Sequence, residues 1–576
     1  MESTMKAILF DTRSIQKYIF SSNQLKTNIG ASFLVEKAFA HELVDVLRGL
    51  FGEEEVDAAT WRNVDSPNWT EMKGKCRIGY IGGGNALVLF REGTSDEELV
   101  RVVQDFTRRL LWKCPGLRIG AARGELVLDE SGAYRVSRVA REDGKTEEVD
   151  DLTHLVHKLK AQQNLFFPAV SLPYTGLTLS CEASAETANA YDVDDVKKES
   201  RFLSWEVKMK LQAARKKGRL IAPAEEELLD KLRSVLTPEV IAGRPLPPLR
   251  PYAIGMEQLA GELQKYAFPV DFDKLGQRET EDYMAIVHID GNNMGEKFRD
   301  CSTLTKRKNL SFAVRQKSIQ AFCALLTCIV GNYETLQKNL LLGKADDGKN
   351  YLPVRPIVLG GDDMTFVCPA KYAVAFTNIV LEALNRLGLD SCGGVSILPT
   401  AYPFFRGYEI AEQLCGAAKG KMRQLQRAGN AEGSCWLDFA ILHGEQPPTL
   451  EQIRAQQYKG KCGAMHFGPY RVDGAAAEPE YIGNLLEAAA QLVQGKSRMP
   501  MNKIKELRAV LAAGEHEQQQ FMAQYRRLAA SGAAMRLPDI AAWEPYRETL
   551  WQAGRTPYVD AIEMIDFYVP EEVQHG

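Results

Sequence analysis

The sequence predicts a protein of the α+β class in which one β-α-β-β-α-β unit, the ferredoxin-like arrangement, occurs twice in tandem. Three observations predict it. Apolar strands end at Asp11 and at Asp290, a glycine-rich turn between two apolar runs follows each strand, and a helical pattern and a glycine-bearing strand come after each turn. Asp11 and Gly84 are 73 positions apart, and Asp290 and Asp362 are 72 apart. This agreement indicates a diverged duplication, with the two domains related by pseudo-twofold symmetry.

The first repeat starts with a strand that leads directly into a helix. Ile15, Tyr18 and Ile19 supply the apolar stripe of that helix. The segments of this repeat are, in order, "KAILFDTRSIQKYIF", the hairpin "CRIGYIGGGNALVLF" (76–90), the helix "SDEELVRVVQDFTRRLLWK" and the strand "GLRIGAARGELVL".

The second repeat has the same order of segments. These are "YMAIVHIDGNNMGEKF" (283–298), the helix "RQKSIQAFCALLTCIVGNYETL", the hairpin "RPIVLGGDDMTFVC", the helix "KYAVAFTNIVLEALNRLG" and the strand "CGGVSILPT". In this topology the third strand lies between the first and second strands and is antiparallel to both. We therefore expect Asp290, at the end of the first strand, to lie beside Asp362 and Asp363 in the turn.

Three carboxylates at one sheet edge repel one another unless a cation compensates their charge. Oxygen ligands of this kind suit Mg²⁺ or Mn²⁺, and two such ions can activate a 3′-hydroxyl and stabilise a departing pyrophosphate. Asp290, Asp362 and Asp363 are therefore candidate catalytic and metal-ligating residues for nucleotidyl transfer. The alternative is a solvent-exposed turn, because Asp and Gly are common turn residues.

Other residues near these acids are candidates for binding a nucleotide. Gly360 and Gly361 permit a tight turn and a close approach of a ligand to the backbone. Lys419, near the end of the helical segment "GYEIAEQLCGAAKGKMR" (407–423), is placed to contact a triphosphate, or it simply stabilises the end of its helix as a cation. Asn293 follows Asp290 closely and either lines a sugar or base or belongs to a plain turn.

The first repeat has a glycine-rich turn without the acidic pair. Gly82, Gly83, Gly84 and Asn85 replace Gly-Gly-Asp-Asp, and one remaining acid, Asp11, cannot organise two metal ions. We expect no independent catalysis there. A glycine-rich turn can still hold a nucleotide through its backbone N–H groups. Two facing domains would then present one nucleotide's α-phosphate to the 3′-hydroxyl of another.

Composition predicts a cytoplasmic protein without a membrane segment. The chain has 576 residues, a net charge of −4 and eleven cysteines. The cysteines form no C-x-x-C pair, which is typical of reduced thiols. We find neither an apolar run of about 18 residues nor the pattern of a signal peptide.

The motifs resemble those of the large polymerase-like subunit of type III CRISPR effector complexes, whose two palm domains make cyclic oligoadenylates from ATP. The resemblance implies that Asp290 and Asp362 bind metal, that Asp363 supports ligation or proton removal, that Lys419 contacts phosphates, and that residues 82–85 bind the acceptor nucleotide. The matching segments cover most of residues 5 to 475 and are "FDTRSIQKYIF", "YIGGGNALVLF", "IDGNNMG", "LGGDDMTFV", "YPFFRGYEIAEQLCGAAKGK", "WLDFAIL" and "FGPYRV".

Two departures from the family pattern are compatible with a stand-alone relative that works outside a CRISPR complex. Many members begin with an HD nuclease domain, whereas the first palm here starts at residue 5 and none of the eight histidines precedes an Asp. Members often carry a zinc-binding cysteine cluster between the palms, whereas only Cys181 lies there, so no zinc is expected.

The predicted layout has four parts, each with its own expected role. They are a degenerate first palm (1–130), a connector (131–280), a catalytic second palm (281–445) and a helical C-terminal domain (446–576). The resemblance implies that the C-terminal domain docks a small effector subunit, and that guide and target RNA are further partners.

The leading functional hypothesis is a metal-dependent nucleotidyltransferase that converts ATP to cyclic oligoadenylates for antiviral defence and releases pyrophosphate. The alternatives are a cyclase that uses another nucleotide, and a nucleotide-binding scaffold or RNA-sensing subunit of a ribonucleoprotein effector.

Overall fold

The computed structural model describes residues 2–63, 67–140, 146–164, 174–184, 186–193, 200–215, 222–235, 249, 255–276, 282–429, 434–444, 449–494, 499–530 and 536–568. The predicted limit of the connector at residue 280 lies outside these ranges. The chain forms two compact units. Met1–Ser234, Asn293–Gln316 and Gly360–Asp362 make up the first, and Val235–Asn292, Lys317–Leu359 and Asp363–Gly576 make up the second. Helices and several separate sheets confirm the predicted mixture of α and β structure.

The first part of the chain alternates strands with helices. Its elements are β1 (Ser3–Arg13), α1 (Ile15–Ile19), α2 (Leu25–Lys37), α3 (Val44–Phe51), β2 (Val56–Asp57), β3 (Cys76–Gly82), β4 (Asn85–Arg91), α4 (Asp96–Lys113), β5 (Arg118–Leu128), β6 (Val136–Ala140), β7 (Thr146–Asp150), α5 (Asp151–Gln163), β8 (Ala190–Val193), β9 (Ser200–Leu203), α6 (Trp205–Ala213) and α7 (Pro223–Arg233).

The sheet of the first unit has the strand order β2-β3-β4-β1-β5. β4 lies between β1 and β3 and is antiparallel to both, as the β-α-β-β-α-β order requires. Alternate residues of β1 enter two different cores. Ile8 and Phe10 pack on one face with Phe106 of α4, and Ala7 and Leu9 pack on the other with α5. Because both faces are covered, β1 is an almost continuous apolar run.

The remaining elements follow residue 255. They are α8 (Met256–Leu263), β10 (Tyr266–Ala267), β11 (Tyr283–Gly291), α9 (Met294–Arg299), α10 (Leu304–Gly331), α11 (Tyr333–Leu340), β12 (Asn350–Tyr351), β13 (Arg355–Gly360), β14 (Asp363–Pro369), α12 (Ala373–Arg386), β15 (Ser391–Pro399), α13 (Phe404–Arg427), β16 (Trp436–Ile441), α14 (Leu450–Gln457), β17 (Lys459–Gly460), β18 (Gly463–Ala464), β19 (Tyr470–Arg471), α15 (Ile482–Val493), α16 (Met501–Ala512), α17 (Glu515–Ala530), α18 (Glu544–Thr549) and α19 (Tyr558–Met564).

The main sheet of the second unit has the order β13-β14-β11-β15-β16-β19. β11 is antiparallel to both β14 and β15. Two adjacent glycines of β15 let helices approach the sheet from opposite faces. A Cβ on Gly393 would meet Thr377 of α12, and one on Gly394 would overlap the backbone carbonyl of Ala411 in α13. The sheet therefore lies between α12 and α13, and α13 is held close to it.

The eleven cysteines are all free, and Cys462 is the one that is not fully buried. No single helix in the described ranges has both the length and the apolar character needed to cross a membrane. One pair, α10 with α11, meets that requirement by length and composition when the two are taken together, with a bend of 76° between them.

Candidate active site

Two carboxylates meet where β11 ends beside the β13–β14 hairpin. Asp290 lies directly opposite Asp363 in the antiparallel register of β11 and β14, and opposite Cys392 on its other side. Residues opposite each other in such a pair have Cβ atoms about 4.5–5.5 Å apart. Asp362 precedes Asp363 in the turn. The structure thus places Asp290 beside Asp363, and the convergence of Asp362 with this pair stays a prediction.

The first glycine of this turn faces open space, and a Cβ on the second would lie 4.0 Å from the backbone nitrogen of Gly83. A Cβ placed on Gly360 would meet no heavy atom within 4 Å. Gly361 has a φ of 70°, in the left-handed region that glycine adopts without strain. In the described part of the chain, therefore, no atom fills the space that a side chain at position 360 would take.

Lys419 binds Asp290 directly. It extends from α13, and its Nζ donates to Asp290 Oδ2 at 2.6 Å and to the carbonyl oxygen of Gly291 at 2.9 Å. The sequence indicated that Lys419 lies near the site but did not reveal this partner. An ammonium group has three N–H donors, so a third donor remains for a ligand. The Asp290 side chain is 37% exposed and stays accessible beside the lysine.

His288 is a member of the site that the sequence analysis missed. Its Nδ1 lies 3.3 Å from Asp363 Oδ1 and 3.3 Å from Thr365 Oγ1, and its ring packs edge-on against Tyr408. Burial lowers the pKa of His288, against the opposing effect of Asp290. His288 therefore lies beside Asp363 as a neutral imidazole. The two-residue period of a strand puts positions 288 and 290 on the same face, which would have revealed His288.

The two asparagines after Asp290 have different surroundings. The Asn292 side chain is buried and donates to the carbonyl of Ser434, while its backbone N–H donates to the carbonyl of Asp390. Asn293 has a φ of 56°, and its carbonyl accepts hydrogen bonds from the first residues of α9. The geometry of Asn293 is that of a tight turn, and its proposed contact with a nucleotide stays a prediction.

The donor chemistry fits a divalent cation in part. Asp290 and Asp363 supply the hard oxygen ligands that Mg²⁺ and Mn²⁺ prefer. Among the residues that the structure describes, however, no group of three or more His, Cys, Asp or Glu side chains is arranged to hold a metal ion. Lys419 provides the positive charge beside Asp290 instead. The three-carboxylate metal site therefore stays a prediction, and a bound ion would need further oxygen ligands from substrate or water.

The turn of the first repeat is packed more tightly than its counterpart. A Cβ on Gly82 would collide with the hydroxyl of Ser311, and one on Gly84 would collide with the Ile15 side chain. The Gly84 carbonyl accepts hydrogen bonds from Thr12 N at 2.9 Å and Thr12 Oγ1 at 2.7 Å. Close packing thus explains why glycine, with no side chain, suits positions 82 and 84. Around Gly83, the nearest atom to an added Cβ is 4.0 Å away, on Asn85.

Asp11 occupies the position in the first repeat that Asp290 occupies in the second. It lies opposite Asn85 in the register of β1 and β4. One of its oxygens, Oδ2, accepts a hydrogen bond of 2.8 Å from Gln163 Nε2 at the end of α5. Burial raises the pKa of Asp11, and the Gln163 hydrogen bond and Lys160 oppose that effect. No sequence pattern connects Gln163 with Asp11, because 152 residues separate them.

Comparison with known proteins gives structural neighbours but no family model and no curated protein that matches the chain. The solved structures that it resembles include Csm1 in T. onnurineus, at 12% identity and a TM-score of 0.49, over 99% of this chain and 70% of that chain. A Csm1–Csm4 cassette in complex with cA4 has 13% identity and a TM-score of 0.45, over 98% and 70% of the two chains. A cassette in complex with AMPPNP has 11% identity and a TM-score of 0.44, over 97% and 70%.

These neighbours are Csm1 chains, and Csm1–Csm4 is a subcomplex of a type III-A CRISPR interference complex. The sequence motifs predicted a resemblance to the large subunit of such complexes, and Csm1 chains are indeed the structural neighbours. With TM-scores below 0.5, the likeness carries no argument about chemistry.

Proposed function

We propose that the protein is a nucleotidyltransferase that converts ATP to cyclic oligoadenylates with release of pyrophosphate. The observation that carries the proposal is the placement of Asp290 opposite Asp363 at an open glycine turn, with Lys419 Nζ 2.6 Å from Asp290. Anionic and cationic groups at one strand end suit a triphosphate accompanied by a divalent cation. Adenine as the base follows from the sequence resemblance.

In the proposed reaction, the 3′-hydroxyl oxygen of one nucleotide attacks the α-phosphorus of another. A new phosphodiester bond forms, the bond between the α-phosphorus and the β-bridging oxygen breaks, and pyrophosphate leaves. Asp363, which lies beside His288, receives the hydroxyl proton and passes it to solvent. Lys419 donates its third N–H to a phosphate oxygen while it holds Asp290. Mg²⁺ or Mn²⁺, held by Asp290, Asp362 and Asp363, would supply positive charge next to the phosphates.

The other predicted binding residues and partners belong to the same proposal. Gly360, Gly361 and Asn293 border the donor nucleotide, and residues 82–85 border the acceptor nucleotide. The C-terminal helices within 446–576 dock a small effector subunit, and guide and target RNA regulate the activity. The four-part layout of the chain is proposed on the same basis.

A second candidate is a nucleotide-binding subunit of a ribonucleoprotein effector that rarely turns over. One observation favours it. Among the described residues, no three acidic or metal-binding side chains form a group, and Lys419 already neutralises Asp290. In this alternative, nucleotide binds at the turn without reaction.

The test incubates purified protein with each NTP, singly and mixed, with Mg²⁺ or Mn²⁺, and resolves the products by chromatography and mass spectrometry. We expect oligoadenylates from the wild type and none from the Asp362→Ala, Asp363→Ala double variant. The matched control is Asp346→Ala with Asp347→Ala, which removes another Asp-Asp pair beside a glycine of positive φ. This control should keep its activity.

Lys419→Met tests the phosphate contact separately. Loss of a hydrogen bond to a charged group should weaken ATP binding about tenfold or more. Lys421→Met removes a lysine of the same helix that binds Glu480 and should leave ATP binding unchanged. Nucleotide binding without any product would favour the second candidate, and absence of both would refute the nucleotide hypothesis.

A further inference from the structure

Asp11 is held in a fixed position beside the Gly82–Asn85 turn. Asn85, its partner on the adjacent strand, is the last residue of that turn. Thr12, which follows Asp11 in the sequence, donates to the Gly84 carbonyl through both its backbone N–H and its hydroxyl. The backbone on both sides of the Asp11 side chain is therefore joined to the turn. Any ligand that lies along the turn at Gly83 lies near Asp11.

The side chain of Asp11 is positioned by an arrangement of three other residues. Gln163 donates to Asp11 Oδ2, and the Arg13 guanidinium binds the backbone carbonyl of Gln163. Gly120 makes this possible, since a Cβ there would lie 2.8 Å from Gln163 Cγ and would displace the glutamine. Gln163 thus lies across β5 with its amide directed at Asp11, and its amide oxygen remains as a second acceptor.

The charge around Asp11 is not balanced by an ion pair. Within the described part of the chain, its hydrogen-bond partner is the neutral amide of Gln163, and Lys160 acts only as a more distant charge. A half-buried carboxylate of this kind repels phosphate but accepts hydrogen bonds strongly from uncharged hydroxyl groups. The 2′- and 3′-hydroxyls of a ribose are such donors, and carboxylates bind ribose hydroxyls in dinucleotide-binding folds.

We propose that Asp11 and Gln163 bind the ribose hydroxyls of the acceptor nucleotide and that Asp11 makes this subsite prefer ribose to deoxyribose. The inference rests on the proposed function, because it assigns the acceptor nucleotide to the first repeat. It gives the acid at position 11 a role although the turn lacks its acidic pair. Asp11 acts as a positioning residue for the hydroxyl that reacts.

The test measures binding of ATP and of 2′-deoxy-ATP, with Mg²⁺, by calorimetry. The Asp362→Ala, Asp363→Ala protein serves as the parent, so that binding at the donor turn is removed. We expect ATP to bind about tenfold more tightly than 2′-deoxy-ATP, as loss of one hydrogen bond to a charged group implies. Asp11→Ala should bring the ratio of the dissociation constants for 2′-deoxy-ATP and ATP close to one. Asp96→Ala, which removes a carboxylate paired with Lys6 on the same unit, should keep the parent's ratio.

Two further variants separate binding from a merely structural link between β1 and α5. Asp11→Asn keeps the shape of the side chain, so it provides a folded protein if Asp11→Ala does not fold. Gln163→Ala should lower the preference for ATP over 2′-deoxy-ATP in part. A purely structural link would instead lower the unfolding temperature of Asp11→Asn and of Gln163→Ala and leave that preference unchanged. An unchanged ratio in Asp11→Asn, or no binding by the parent, overturns this inference. Oligoadenylate synthesis by the wild type would still uphold the proposed function in that case.

Discussion

A methyl group placed on Gly82 would meet the hydroxyl of Ser311, whereas one placed on Gly360 would meet no atom within 4 Å. The two glycines hold equivalent places in the two hairpins, at the end of β3 and at the end of β13. A side chain at position 82 would require Ser311 to move. Gly360 instead leaves a space, which we assign to the donor nucleotide.

This contrast predicts opposite effects of the same substitution. Gly82→Ala should lower the free energy of unfolding by about 1–3 kcal/mol, because it overpacks the contact with Ser311. Gly360→Ala should leave the free energy of unfolding nearly unchanged and weaken ATP binding. Urea unfolding and calorimetry measure the two quantities. If Gly360→Ala left ATP binding unchanged, the donor nucleotide would not use the space beside Gly360.

At the scale of single elements, a buried ionic network attaches α19 to the edge of the second sheet. His466 lies between Asp438 of β16, at 2.8 Å, and Asp560 of α19, at 3.1 Å. Arg454 also binds Asp438, and the backbone N–H groups of Phe467 and Gly468 and the Tyr470 hydroxyl donate to Asp560. Both carboxylates are fully buried, so the network is stable only when its charges are matched.

The network predicts a pH dependence of stability. Burial tends to lower the pKa of His466, but Asp560 and Asp438 outweigh it and raise this pKa to about 9, while Arg454 opposes them. The unfolded value is about 6.5. The contribution to stability is thus complete below about pH 6.5 and is lost as the pH rises through about 9, with a magnitude of roughly 3 kcal/mol.

The measurement is the free energy of unfolding in urea at pH 6 to 9.5, for the wild type and for His466→Gln. Three other titratable groups face the network in both proteins, namely Tyr458, Tyr470 and Glu563. The difference in the free energy of unfolding between wild type and His466→Gln therefore isolates the contribution of His466. We expect that difference to shrink as the pH rises. A constant difference over this range would show that His466 is not charged in the folded protein.

The elements of the site differ in how far the sequence predicts them. The register of Asp290 with Asp363 follows from the hairpin and the two-residue period of the strands, so it was predictable. Lys419 was predictable only as a cation near the site, because its contact with Asp290 depends on how closely α13 approaches β15. Gln163 was not predictable, since its place beside Asp11 depends on packing between segments far apart in sequence.

At the scale of the whole molecule, the two repeats share their strand order and their register. β3-β4-β1-β5 corresponds to β13-β14-β11-β15, and the pair Asp11–Asn85 corresponds to Asp290–Asp363. The order and spacing of the motifs were sufficient to predict this correspondence. The predicted division into four parts is a separate matter and stays a prediction, as does the pseudo-twofold relation of the repeats.

Removal of divalent metal should affect activity and folding differently. Lys419 already compensates the charge of Asp290 in the structure, so folding should need no metal at the carboxylates. EDTA should leave the unfolding temperature of the nucleotide-free protein unchanged within about 1 °C and should abolish product formation. Differential scanning fluorimetry and the product assay measure these effects. A large fall in unfolding temperature with EDTA would instead indicate a structural metal.

The His466 network also limits how this protein can be divided for experiments. A fragment that ended shortly after β16 would contain Asp438 but neither His466 nor Asp560. A fragment that ended before α19 would keep His466 beside Asp438 but lose the second carboxylate and the acceptor for the Tyr470 hydroxyl. Each fragment would leave buried charges or donors unmatched. A fragment that contains the second sheet should therefore extend at least through Met564, and shorter fragments should be poorly soluble.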